Sequence, residues 1–254
     1  MTTPQPLPGP LLFARFAYPP NALGYCGPGD SRALLDYAAT DSVDGGLREL
    51  ARGFEGAWPY LQLIAAGNGI ADPLDRRVVE AYWLGNGLLD RVPPSLLAAT
   101  LEERFHPVAM RDTENVVDAV RLGAVPHHDF HVFSVYPWVG MLRRGNVDAP
   151  LTVLDRCRIR WGEVESLCGD ALLVRSRPLA WRDGRLTLDT PRVEQVTWRG
   201  LLDTPEPGDA VAMHWDWACL RLGAAQLRSL KAQTARQLAV ANALPHPGPA
   251  AVLA

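Results

Sequence analysis

The stretch HHDFHVFSVYPWV at residues 127–139 divides the chain. Phe130, Val132, Phe133, Val135, Tyr136 and Trp138 are aromatic or β-branched, which predicts a half-buried β-strand over residues 128–139. Upstream of it, apolar residues recur at helical spacing; downstream, short runs alternate between apolar and polar. The expected class is α+β. A helical domain occupies 1–125, a connecting strand and loop 126–150, a small closed β-barrel with a terminal helix 151–242, and a disordered Pro-rich tail 243–254.

Working upstream, Asp30 or Ser31 caps a helix through Tyr37, a second runs from Gly45 to Phe54, and a third from Trp58 stops at Gly67. Asp72 followed by Pro73 marks a fourth start, since proline suits the first helical position. Two further helices are read from Ser95 to Phe105 and from Asp112 to Leu122. Working downstream, strands are read at 153–166, 171–175, 179–181, 186–188, 193–198 and 210–215, with Arg182-Asp183-Gly184 as a tight hairpin turn. A last helix covers 224–242, its Leu227, Leu230, Leu238 and Ala241 on one stripe.

The chain has 254 residues, 48% of them hydrophobic and 21% charged, which suits a soluble globular protein with a core of its own. A net charge of -3 with scattered basic groups excludes the cationic field that nucleic acid or an anionic membrane surface requires. Neither a membrane span nor a secretory signal is read, so the expected location is cytoplasmic. Cys26, Cys157, Cys168 and Cys219 lack the CxxC spacing of a zinc knuckle and read as reduced thiols.

Two segments carry the most specific chemistry. CRIRWGEVESLCGDALLV at 157–174 places a thiol at the head of a strand and a Gly-Asp turn before the next one; EPGDAVAMHWDWAC at 206–219 is a turn followed by a strand bearing His214. With the terminal helix, this order resembles the HypC/HupF family of [NiFe]-hydrogenase maturation chaperones over about residues 155 to 242. The resemblance implies an OB-like barrel that carries an iron fragment with cyanide and carbonyl ligands, Fe(CN)2CO. Cys157 would hold it as thiolate, with His214 as ligand or orienting base, and iron as the cofactor. It also implies partners, either the iron-assembling maturation protein or a hydrogenase large-subunit precursor. In that family the cysteine follows the initiator Met; here Cys157 is internal, so a free α-amine beside the thiol is excluded. A soft thiolate and an imidazole suit such an iron centre, and Arg156, Arg158 or Arg160 would lower the thiol pKa or contact cyanide. As ordinary barrel residues, Cys157 would be a small apolar side chain and His214 a satisfied histidine.

On a strand, His127, Asp129 and His131 point one way and His128 the other, which offers a two-histidine, one-carboxylate set. Three such residues on a straight strand span about 13 Å, so one ion needs a bend or a ligand such as His106 from the helical domain. Cys26 in FAYPPNALGYCGPGD, residues 16–30, sits in a Gly/Pro turn leading into a helix, where backbone amides favour a thiolate nucleophile or a second metal ligand. Cys168 and Cys219 read as structural. Glu55, Trp58, Glu80, Tyr82, Trp83 and Asn86 would line an enzymatic pocket or else serve as core and surface. The segments at 13–28 and 130–140 are also similar to an uncharacterised bacterial family associated with hydrogenase gene clusters.

The leading expectation is a maturation scaffold without turnover of its own that docks through the thiol strand and the terminal helix. The alternative is a metal-dependent enzyme whose site, built from His127, Asp129 and His131 or from Cys26, lies in an aromatic pocket between the halves.

Overall fold

The computed structural model describes residues 7–105 and 117–244. Its class is α+β, helices first, then a mixed sheet and a C-terminal helix.

Helix α1, Gly9–Ala22, is the hub of the helical half. Leu11, Leu12, Phe13, Phe16 and Ala17 are all buried, so the helix is apolar and covered on every side. Against it pack α2 (Ser31–Thr40), α3 (Gly45–Arg52) and α5 (Arg76–Trp83), while α4 (Trp58–Gly67) packs on α5 and α6 (Pro94–Phe105) on α4. Short acidic side chains start α2 and α3: Asp30 accepts from the Ala33 N–H at 3.1 Å and Asp44 from the Leu47 N–H at 3.1 Å. The start expected at Asp72 falls a turn later. Asp72 is drawn into a bidentate pair with Arg48 and accepts from the Leu74 N–H, while Asp75 caps α5 instead. The helix predicted from Asp112 is present over 117–121; Asp112 and His106 lie outside the described residues, as do 245–254 of the expected tail.

The strand expected over 128–139 is helical. A turn of α-helix, α7 (His128–Phe130), runs into a π-helical turn, His131–Val135, closed by the Tyr136 N–H on the His131 carbonyl at 3.1 Å. Helices α8 (Trp138–Arg143) and α9 (Asp148–Cys157) follow. The reason is burial. Every residue from His127 to Val135 is buried, so no polar face marks the period, and β-branched content alone cannot separate a buried helix from a strand. The connecting segment is therefore core: Phe130 and Val135 pack with the helical half, Val132 and Phe133 with α8 and α9.

The strand expected from Val153 likewise starts only at β1 (Arg160–Cys168), and Cys157 is the last residue of a helix. Then come β2 (Ala171–Ser176), the hairpin β3 (Leu179–Arg182) with β4 (Arg185–Leu188), β5 (Arg192–Thr197), β6 (Ala210–His214) and β7 (Trp217–Arg221). Strand β7 takes residues read as the entry to the last helix. Pairing runs in the ring β1-β2-β5-β7-β6, with β6 returning to β1 antiparallel and β5 meeting β7 through a single parallel bridge, Thr197 to Trp217. Val164, Leu172, Val174, Val196, Val211 and Met213 fill its interior. The expected hairpin turn is present, with Asp183 and Gly184 both at positive φ, 52° and 74°. Helix α10, Ala224–Ala243, closes the chain against α7 and the π turn. Ile159, Leu201, Ala212, Leu222 and Leu230 belong to the same core cluster as α1, so the two halves share one interior. Among the described residues no helix is long and apolar enough to cross a membrane.

Candidate metal centre

Where the halves meet, three elements deliver one donor each: His128 opens α7, Cys157 ends α9, and His214 ends β6. Their donor atoms lie within 4.8 Å of one another. All three are shielded, with exposures of 6%, 9% and 1%. The hydrogen bonds fix the imidazole tautomers, because a carbonyl only accepts. His214 Nδ1–H donates to the Phe16 carbonyl at 2.6 Å, leaving the lone pair on Nε2, which has no hydrogen-bond partner. His128 Nε2–H donates to the Cys157 carbonyl at 2.8 Å, leaving Nδ1 to accept from the Tyr82 hydroxyl at 3.2 Å. A backbone carbonyl behind each ring is the support that metal-ligating histidines use.

Burial keeps all three groups uncharged. Desolvation lowers the His128 pKa to about 4, drives that of His214 well below its ordinary value and pushes the Cys157 thiol up. The arginines expected to activate the thiol do not. Arg156 pairs with Asp216, Arg158 with Asp155 at 3.0 Å, and Arg160 with Glu194. A divalent cation would supply the missing positive charge and displace the thiol proton.

The three donors face a cavity of about 280 Å³ walled by aromatic rings, among them Tyr82, Trp83, Tyr136, Trp138 and Trp215. Trp215 forms the β6–β7 turn at φ 52°, a conformation that bulky residues rarely adopt. Its backbone N–H is held by the Arg156 carbonyl at 2.8 Å and its backbone carbonyl by Arg160, and its ring stacks on Tyr25 at 4.2 Å. The 24–29 loop, tied by two 2.7 Å bonds from Asn21 to the carbonyls of Cys26 and Pro28, lines both this space and a wider outer cleft of about 800 Å³.

Cys26 lines the cavity too, but outside the trio. No helix N-terminus lowers its pKa, since α2 begins five residues later and burial pushes the thiol up to about 12. The predicted His127, Asp129 and His131 set does not assemble. His127, lowered to about 3 by burial, accepts from the Asp129 N–H; Asp129 accepts from the Thr234 hydroxyl at 2.7 Å; and only His131 reaches the cavity, with Nδ1 3.2 Å from the Tyr60 hydroxyl. His128 was the residue missed. On a helix His127 and His128 both neighbour His131, at four and three residues, so even the helical period does not single out His128. Tyr82 and Trp83 line the cavity as expected, whereas Trp58, Glu80 and Asn86 do not, and Glu55 lines the outer cleft. Cys168 is exposed, and Cys219 is buried in the shared core.

A family model described as DUF6390, a family of unknown function, matches residues 5–247. No curated protein and no solved structure matches the chain.

Proposed function

The chain thus belongs to that family of unknown function, and we propose that it works through one transition-metal ion held by His128, Cys157 and His214. The carrying observation is the convergence of these donors from three separate segments, each imidazole with one nitrogen bonded to a carbonyl; the other is free on His214 and shared with the Tyr82 hydroxyl on His128. One thiolate and two imidazoles form a soft set suited to zinc, iron or copper. Three protein ligands leave a position facing the cavity, which is the pattern of a reactive centre rather than a structural one. With the thiol buried, we read the protein as a metal-dependent enzyme acting on a small molecule.

A second reading is favoured by one specific observation: Cys157 and His214, the pair that the HypC/HupF resemblance requires, do meet. On this reading the ring of strands is an OB-like barrel, and the site carries Fe(CN)2CO for hydrogenase maturation. The arginines are engaged elsewhere, so aromatic rings and Tyr82 would surround the diatomic ligands.

Metal analysis of protein purified from metal-supplemented cells tests the centre. About one equivalent is expected in wild type and in His127→Ala, and little in Cys157→Ala or His128→Ala. Equal metal in all four would sink it. Infrared spectra of protein made alongside the maturation machinery decide the second reading: cyanide and carbonyl stretches lost in Cys157→Ala support it, and their absence from wild type ends it.

A further inference from the structure

Among the described residues lining the cavity there is no Asp, Glu, Lys or Arg. Two of its lining residues carry buried donors instead. The indole N–H groups of Trp83 and Trp215 are buried without a partner, and an indole nitrogen only donates. An unpaired buried donor costs free energy, so the matching occupant carries acceptor atoms. The charge of the centre points the same way. A divalent ion with one thiolate and two neutral imidazoles has a net charge of +1, and no acidic side chain shares the cavity with it, Asp129 being buried outside the lining and hydrogen-bonded by Thr234. Cys26 lines the same cavity but stands outside the trio of donors.

From these observations, and resting on the metal centre proposed above, we infer that the cavity binds a small organic monoanion with a flat apolar body, of the arenecarboxylate class. The anionic oxygen takes the open metal position and accepts from the indole N–H groups. The rings of Tyr136, Trp138 and Trp215 cover the flat body. An organic cation, which an aromatic cage could otherwise attract, would meet a positive centre. A neutral ligand would leave that centre uncompensated.

The test uses the full chain loaded with Co(II), whose visible bands report its ligands, and three probes of similar shape: benzoate, benzamide and phenyltrimethylammonium. Benzoate is expected to shift the cobalt bands and to bind at least about tenfold more tightly than the other two, a difference of roughly 1.4 kcal/mol. Trp215→Phe, which keeps a ring but loses the N–H, is expected to weaken benzoate about tenfold. Equal or tighter binding of benzamide or the ammonium ion would overturn the inference, and so would cobalt bands indifferent to benzoate. The probe series on wild type stands even if the variant fails to fold. Lack of cobalt absorption in the loaded protein is a separate result: it defeats the metal centre itself, and the anion with it.

Discussion

The Nδ1–H of His214 donates to the carbonyl of Phe16 at 2.6 Å, across 198 residues of sequence. This bond ties the end of β6 to the buried hub helix and sets which nitrogen faces Cys157. The ring thus has a structural and a ligating end.

The two ends separate by substitution. In His214→Asn the amide nitrogen stands where Nδ1 stood, so the bond to Phe16 survives while the Nε2 lone pair is lost. Urea unfolding of the metal-free variant should stay within about 1 kcal/mol of wild type while metal binding disappears. His214→Ala should lose about 2–4 kcal/mol, from the stranded carbonyl and the void.

Stability should fall as the pH drops from about 6.5 towards 4. Below the ordinary histidine pKa the unfolded chain binds protons that the folded chain refuses, because burial lowers His128 to about 4 and His127 to about 3. The loss is complete only below those folded values. On the alkaline side the sign reverses: Cys26 and Cys219 are pushed up to about 12, so the unfolded state alone loses protons above the thiol's ordinary value of 9.0, and stability falls again. Denaturation midpoints of the metal-free protein across pH 4 to 10 should trace a dome. A flat profile below pH 6.5 would contradict burial of the histidines.

Asp155 and Arg158 form a buried pair, 5% and 1% exposed, in which Asp155 also accepts from the Leu179 N–H at 2.8 Å. Asp155→Ala leaves the guanidinium buried and unpaired and should cost about 3–5 kcal/mol. Adding Arg158→Met should recover part of that loss.

Gly27 sits at φ +84°, where an added Cβ would lie 2.4 Å from the Phe54 ring. Gly27→Ala should therefore displace the 24–29 loop and uncover Cys26. In a Cys168→Ser background, which removes the exposed thiol, reaction with an aromatic disulfide reagent at neutral pH should quicken about tenfold or more. An unchanged rate would mean that the loop does not guard the cavity.

Features whose cause is local were legible in the sequence. The Asp183-Gly184 turn needs two positive φ values, and the sequence supplies residues that tolerate them. Asp30 announces a helix start because a short carboxylate reaches the amide three residues on. Helix α10 kept its predicted span because one side of it faces solvent, so its period shows. Asp75 displaced Asp72 at the start of α5 only because Arg48, 24 residues away, claims Asp72.

By itself, then, the sequence determined the α+β class, most of the strands, the last helix and the candidacy of Cys157 and His214. Tertiary structure alone decided the helical state of 127–139 and of 148–157, and through it the exchange of His127 for His128 at the centre. For 127–135 the physical reason is burial on every side, whereas 148–157 keeps Asp148, Ala149 and Thr152 exposed. A segment wholly covered by its neighbours has no solvent-facing residues to betray its period, and which imidazole meets a thiol 29 residues further on is set by how the two halves close over one shared core.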